Sequence, residues 1–349
     1  MSQFMMNRRH FLSNAALVGG LAATQTFVGI RAGKAADVAE VRMQLGWLAS
    51  NGLIGEVAAQ KKGFFTEQGI NLTIVPGGPN VDGVAGVAAG QSTIGQISSS
   101  PSVMLARSAG MPVKAFLAGY RKHPFTYFSL KKAPIREPKD MIGKTIATQP
   151  TAFILLRALL AQNGIPEDKV KMVNMGSDMN QLITGQADAV TGWVTNTNAL
   201  KVLGDDRVDM MLWDAGLQLY ANVYYTTDEQ LDKHSDVLVR FTTAAAKGWG
   251  YVRDHPEEAV DMLVDAYPNL DKASELEAVD SVIDFSFGES TKQTGWGAMN
   301  KDNWAAQIKA YADLKQFAGT IPTVDDVATM AILDATTEKI GRASCRERV

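Results

Sequence analysis

Cysteine is almost missing from this chain: the only one in 349 residues is Cys345, close to the end. A body without cysteine cannot close an intramolecular disulfide, supply a thiolate nucleophile or bind a metal through sulfur. Histidine is scarce as well, with His10, His123, His234 and His255 far apart in the sequence. Neither Gly-x-Ser-x-Gly nor Gly-x-x-x-x-Gly-Lys-[Ser/Thr] occurs, which removes the nucleophile elbow and the nucleotide-binding phosphate loop. After residue 35 no apolar run approaches the ~20 residues that a membrane-spanning helix needs.

Both ends stand apart from the body. Residues 1–35 carry Arg8 and Arg9 followed by Phe11, Leu12 and a modest apolar stretch from Ala15 to Ile30, with a small-residue exit at Gly33-Lys34-Ala35. Paired arginines before such a run predict a cleavable twin-arginine signal peptide, cut after Ala35, and hence a periplasmic protein. At the other end, residues 340–349 (Ile-Gly-Arg-Ala-Ser-Cys-Arg-Glu-Arg-Val) read like a translated sequencing-adapter oligonucleotide. Setting aside the four cations of the leader and the net two of the tail takes the formal charge from −3 to −9. An acidic body disfavours nucleic acid and anionic membrane surfaces, which reward clustered Lys and Arg. Residues 36–339 are enough for two packed domains.

Within that body short apolar runs alternate with amphipathic stretches. Strands are expected at Val41–Leu45, Asn71–Val75, Thr93–Ile97 and Lys114–Gly119, with helices at Gly52–Lys62, Val81–Ala89 and Pro101–Ser108 between them. The rhythm resumes after Lys131–Lys139, with strands at Thr145–Thr148, Val170–Met175, Ala189–Trp193 and Met210–Trp213. Helices at Ala152–Gln162, Met179–Thr184 and Asn198–Leu203 separate them. Strands spaced by helices of about ten residues imply parallel βαβ units. From Asp228 the pattern turns helical, through Leu238–Arg253, Pro256–Ala266, Ala273–Phe285, Lys301–Phe317 and Val324–Glu338. Two extended segments, Phe125–Leu130 and Ala221–Thr227, sit where one α/β unit gives way to the next. They predict a pair of interdomain crossings, and two sequential domains with a helical cap are the alternative.

Several segments together carry a family resemblance. Leu45-Gly46-Trp47-Leu48, Gly55–Gln60, Lys62-Gly63-Phe64-Phe65 and Gln68–Leu72 resemble the opening of periplasmic substrate-binding proteins of ABC importers. Echoes follow at Ala89–Gly95, Pro138–Ala147 and Leu182–Val190, so the likeness runs from about Val41 to Asp265. The branch is the SsuA/THI5-like one that groups thiamine-pyrimidine, aliphatic sulfonate, taurine and nitrate binders. The resemblance implies an α/β, two-lobed periplasmic-binding-protein type II fold with two crossing strands at the hinge and a helical C-terminal part. The boundaries expected are 36–127 for the first part of lobe one, 128–222 for lobe two and 223–339 for the completion of lobe one.

In open α/β sheets a ligand sits beyond the carboxyl ends of the strands, near helix N-termini with unpaired N–H groups. Five loops fall there: Trp47–Asn51, Gly77–Asn80, Ser98–Ser100, Gln149–Thr151 and Gly192–Asn196. The expected contacts are therefore Trp47, Asn51, Gly78, Ser98, Ser99, Ser100, Gln149, Thr151, Trp193 and Asn196, joined by Asn222 and Tyr224 from the second crossing. Trp47 and Trp193 sandwich a ring, or else Trp47 packs between domains and Trp193 packs in the core beneath the sheet end. Ser98–Ser100 divide between recognition and capping the helix that follows. Alternation puts Asn222 and Tyr224 on one face and Tyr225 on the other. Asp188 is expected in a structural turn, Asp82 and Asp178 as helix N-terminal charges, and His123 as an ordinary surface or hinge residue.

The expected function is a monomeric solute receptor with no cofactor and no catalytic residue. It would close about the crossings on a small heteroaromatic molecule, in preference to a sulfonate or nitrate, and deliver it to a permease whose ATPase is a separate subunit. The alternatives are a cofactor-free enzyme related to thiamine-pyrimidine synthesis and a ligand-sensing receptor module. The synthase of the related branch carries a cysteine-rich iron motif, which this body lacks.

Overall fold

The computed structural model describes residues 38–78, 81–176, 178–288, 291 and 295–340. The twin-arginine segment and the tail from residue 341 lie outside the described residues, as do Pro79 and Asn80 of the second expected loop.

Among the described residues, ten strands form two sheets of five. The first holds β1 (Ala39–Leu45), β2 (Ile70–Val75), β3 (Ile94–Ser99), β4 (Val113–Tyr120) and β10 (Ala221–Thr227), in the order β2-β1-β3-β10-β4. The second holds β5 (Phe125–Leu130), β6 (Thr145–Thr148), β7 (Lys171–Asn174), β8 (Ala189–Trp193) and β9 (Arg207–Met211), in the order β7-β6-β8-β5-β9. β1 runs parallel to β2 and β3, and β6 parallel to β7 and β8, as βαβ connections require. The two segments expected to be the crossings are themselves sheet strands, β5 and β10. β5 pairs antiparallel with β8 and β9, and β10 antiparallel with β3 and β4. The chain thus passes between sheets in the short stretches just before them, 121–124 and 212–220.

Among the described residues the α-helices before β10 are α1 (Ile54–Lys61), α2 (Phe64–Glu67), α3 (Gly83–Ala88), α4 (Ser100–Ser108), α5 (Phe153–Gln162), α6 (Asn180–Ile183) and α7 (Thr197–Leu200). After β10 come α8 (Asp228–Lys233), α9 (Ser235–Asp254), α10 (Pro256–Ala266), α11 (Lys272–Ser286), α12 (Lys301–Asp313), α13 (Val324–Val327) and α14 (Ala331–Ile340). Local chemistry marks their starts. Thr227, Asp271, Asn300 and Thr323 each accept a backbone N–H as N-caps, and Pro256 opens α10 at a position where no N–H is needed.

Each sheet is covered on both faces. Leu238, Phe241, Ala245, Trp249 and Val252 recur every three or four residues along α9, so one stripe of that helix packs with α1 against the first sheet. Val84 and Val103, from α3 and α4, and Trp304 and Tyr311 of α12 belong to a second cluster on the opposite face. That cluster continues into Ile146 and the buried stripe of α5 in the second sheet. The far face of the second sheet buries Ala147 and Val190 beneath Leu182 and Leu200 of α6 and α7.

Val324–Glu338 is not one helix. Thr329 N–H reaches the carbonyl of Ala115 and Ala328 bridges the same residue of β4, so the chain leaves helical geometry between α13 and α14. Periodicity had no means of showing that strand-like contact, whose partner lies two hundred residues earlier. The helix expected over Asn198–Leu203 is likewise split, into α7 and a 3-10 stretch over Lys201–Asp206.

Glycine makes the approach of α1 to α9 possible. A Cβ at Gly55 would lie 2.3 Å from the Trp249 ring, and one at Gly248 would lie 2.1 Å from the Gly55 carbonyl oxygen. Neither contact can be relieved by a flexible side-chain end. Gly55→Ala should therefore lower stability by about 1–3 kcal/mol, the range typical of overpacked cores, without changing the fold. Urea denaturation that leaves the transition midpoint unmoved would contradict this.

Candidate functional site

The carboxyl ends of β1, β2 and β3 carry Trp47, Gly77–Gly78 and Ser98–Ser100. Those of β6 and β8 carry Gln149–Thr151 and Trp193–Asn196. Both passages between sheets run beside these edges, and they are tied by an ion pair, Lys122 Nζ to Asp214 Oδ1 at 3.2 Å. The pair is exposed and stabilises little.

Trp47 is half-buried directly after β1, next to Leu48, which is 54% exposed. Gly77 lets the two loops cross, since a Cβ there would meet the Leu45 and Trp47 carbonyl oxygens at 2.2 and 2.6 Å. Gly78 is buried beside the Leu48 side chain. Ser98 and Ser99 are half-buried, Gln149 is half-buried with Nε2 donating to the Gly176 carbonyl at 3.4 Å, and Thr151 and Asn196 are exposed. Trp193 is wedged between Tyr120 and His123, with ring centroids 5.7 Å from each, and it packs on both of the large clusters.

Four of the expected contacts turn inward. Asn51 is buried, and its two amide protons go to the Thr195 carbonyl at 2.9 Å and to Glu275 Oε2 at 3.0 Å. This side chain holds the β8–α7 segment against α11 and has no proton left for a ligand. Ser100 accepts from Tyr220 N–H at 3.2 Å and donates to Gln307 Oε1 at 2.5 Å, so it neither caps α4 nor opens to the surface. Asn222 and Tyr224 do share a face opposite Tyr225, but that face is the one beneath α1. Asn222 donates to the Gly52 carbonyl at 3.3 Å, and the Tyr224 hydroxyl donates to Glu56 Oε1 while accepting from Gln96 Nε2 at 3.1 Å. Alternation along β10 was legible, yet it could not say which face would be covered.

The acidic side chains behave as expected of structural positions. Asp188 accepts from Thr145 N–H at 2.8 Å, Asp82 from Ala85 N–H at 3.0 Å and Asp178 from Asn180 N–H at 3.0 Å. Three groups escaped sequence reasoning. Glu56 sits fully buried in α1, where Oε1 accepts from Tyr224 and from Trp249 Nε1 at 3.3 Å, and Oε2 has no partner. Burial pushes its carboxyl up to about 7, against the lowering effect of the Tyr224 and Trp249 bonds. A glutamate between Gly55 and the apolar run Val57-Ala58-Ala59 was the available signal. Glu275, raised by burial and opposed by the Asn51 bond, is paired across more than two hundred residues, and no local pattern reveals that.

His123 is not a surface residue: it is 1% exposed, and burial lowers its imidazole to about 3. Phe125 N–H donates to its Nδ1 at 3.2 Å, and Nε2 lies 2.9 Å from Ser99 Oγ. Among the described residues no cluster of three or more His, Cys, Asp or Glu could hold a metal ion. Two open hollows lie apart from these loops. One of about 610 Å3 is lined by Phe153, Arg157, Glu167, Asp168, Val170 and Met172 at the outer edge of the second sheet. The other, of about 380 Å3, lies along β9 and the second passage.

A family model, NMT1/THI5 like, matches residues 50–259. The chain belongs to that family. A formylaminopyrimidine-binding protein of Halalkalibacterium halodurans is 27% identical over 62% of this chain and 66% of its own length. The riboflavin-binding protein RibY of Chloroflexus aurantiacus is 23% identical over 59% of this chain and 61% of its own. The chain thus spans just under two thirds of both. An enzyme is also similar, the 4-amino-5-hydroxymethyl-2-methylpyrimidine phosphate synthase of Legionella pneumophila, 23% identical over 66% of this chain and 74% of its own. Among solved structures, the alkanesulfonate-binding protein SsuA of Xanthomonas axonopodis pv. citri, bound to MOPS, superposes with a TM-score of 0.64. It does so at 15% identity, over 84% of this chain and 99% of that one. The architecture is that of the periplasmic binding proteins, with two α/β lobes and a helical C-terminal part.

The two buried titratable groups pull stability in opposite directions with pH. Glu56 has a folded pKa raised from 4.5 to about 7, so its contribution is complete below 4.5 and is lost as pH rises to 7. His123 has a folded pKa lowered from 6.5 to about 3, so its contribution is complete above 6.5 and is lost as pH falls to 3. Each slope approaches about 1.4 kcal/mol per pH unit. Between pH 4.5 and 6.5 they oppose, and unfolding free energy should be nearly flat. Denaturation curves across that window should rise with pH in Glu56→Gln and fall with pH in His123→Gln; parallel profiles for both variants would refute the assignment.

Proposed function

We propose that the protein captures a small heteroaromatic solute, pyrimidine-like, between its lobes and delivers it to a membrane permease powered by a separate ATPase. One observation carries this reading. The facing carboxyl edges of the two sheets each present a half-buried indole, Trp47 and Trp193, beside polar side chains that the protein leaves at least partly accessible. Indoles of this kind offer flat apolar contact area, while Ser98, Ser99, Gln149, Thr151 and Asn196 supply hydrogen bonds that set orientation. Gly77 brings its loop against the Trp47 backbone, and Gly78 follows it beside Leu48. The pyrimidine- and flavin-binding relatives favour a ring over a sulfonate or nitrate.

Closure needs contacts that exist only when both lobes touch the solute, and no bond in the solute changes. The paired arginines of the leader support work in the periplasm, where the receptor acts as a monomer in this reading. The synthase relative favours a second reading, an enzyme of pyrimidine synthesis, so binding must be scored together with turnover.

A thermal-shift series with 4-amino-2-methylpyrimidine, riboflavin, an alkanesulfonate and nitrate should raise the melting temperature only with the ring compounds. Recovery of those compounds unchanged after prolonged incubation is expected; conversion would make the protein an enzyme. Trp47→Ala should weaken capture at least about tenfold, equivalent to about 1.4 kcal/mol, with an unchanged circular dichroism spectrum. Calorimetry giving the wild-type affinity would remove Trp47 from the site. Replacing Arg8 and Arg9 by Lys should leave precursor in the cytoplasm, as cell fractionation would reveal, whereas normal export would exclude the twin-arginine route.

A further inference from the structure

His123 lies in the first passage between the sheets, enclosed by residues from both lobes. Its ring meets Trp193 at 5.7 Å and Phe125 at 6.1 Å, both nearly edge-on. Phe125 N–H points at Nδ1, so that nitrogen presents its lone pair. A neutral imidazole has one N–H, which must then be on Nε2. Burial, which lowers the ring's basicity to about 3, keeps it neutral throughout the physiological range. Nε2–H therefore donates to Ser99 Oγ across 2.9 Å.

That bond decides what the serine can still do. A hydroxyl has one proton and two lone pairs, and here a lone pair is engaged by the histidine. Ser99 stands at the N-cap of α4, but its side chain makes no capping bond. It is half-buried at the carboxyl end of β3, across from the Trp193 edge of the second lobe through the His123 ring itself.

We propose that His123 sets the hydrogen-bond polarity of the site: by donating to Ser99 Oγ it leaves that hydroxyl to donate its own proton, so the solute presents an acceptor there. A pyridine-type ring nitrogen or a ring carbonyl satisfies it, and a C–H or N–H at the same place does not. His123 is a positioning residue that acts through Ser99. This rests on the reading of the cleft as a solute site and adds to it the chemistry of one edge of the solute.

Two measurements test it. Nitrogen-15 NMR of the unliganded full chain should show His123 as the Nε2–H tautomer from pH 5 to 8, and an Nδ1–H or doubly protonated ring would overturn the proposal. Binding is then compared for 4-amino-2-methylpyrimidine and 3-methylaniline, which has the same shape without ring nitrogens. Wild type should prefer the pyrimidine by at least about tenfold, as expected when a buried donor would otherwise be left unpaired. Ser99→Ala and His123→Leu should reduce the preference to about twofold or less, and His123→Gln, whose amide can donate in place of Nε2, should restore part of it. A preference undiminished in Ser99→Ala overturns this inference alone. If neither compound binds wild type, the solute reading falls and takes the inference with it.

Discussion

The pairing of β10 between β3 and β4 is the constraint on which the rest of the structure depends. Without that strand, both neighbours would have a free edge and the first sheet would fall into two pieces. Since β10 follows nine other strands, the sheet cannot be completed until the chain has built the second lobe and come back. Two passages are thus imposed by hydrogen bonding within a sheet. The same pairing puts Ala221 opposite Ser99, which brings the end of the return passage to the loop where β3 hands over to α4. Alternation along β10 sends Tyr224 and Tyr225 into different cores; the strand also bends, with Asn222 at a left-handed φ of 46° and a shift of register with β4 between the two tyrosines.

Around that strand the molecule buries polar groups at real cost. Glu56 is surrounded by Tyr224, Trp249 and Tyr120, and one of its oxygens has no partner, a situation that penalises the ionised form heavily. His123 is treated differently: both ring nitrogens are satisfied, and the only cost is the loss of the charged form. One group is held neutral by protonation and the other by deprotonation. Near pH 5 to 6 both groups are therefore uncharged, although one is an acid and the other a base.

Much of the architecture could be read from the chain. β10 and α10 have the boundaries that alternation and a leading proline imply, and the order of glycine-bearing turns pointed to the family that the comparison identifies. Which loops lie on the carboxyl edges was legible for the same reason, because strand order and direction follow from βαβ connections. What individual side chains do there was not. Asn51 and Ser100 have donor-acceptor chemistry suited to a ligand, and their partners Glu275 and Gln307 stand more than two hundred residues further on. His123 looked like a hinge residue of no special kind, since nothing in Lys122-His123-Pro124 announces that Trp193 will cover it. The break between α13 and α14 depends on β4, and helix periodicity continues straight through it.

Besides the apolar packing around Trp193, the lobes touch through a seam of polar contacts. Asn51 reaches the Thr195 carbonyl, Thr197 Oγ1 the Ser274 carbonyl at 2.7 Å, and Lys201 Nζ the Ser274 hydroxyl at 2.8 Å. Each such bond contributes roughly 0.5–1.5 kcal/mol net, because water replaces it when it breaks. A seam built this way behaves like a zip fastener with few teeth. Parting this seam alone would cost little, so the rings packed around Trp193 and the apolar cluster shared by the two sheets are what hold the lobes together.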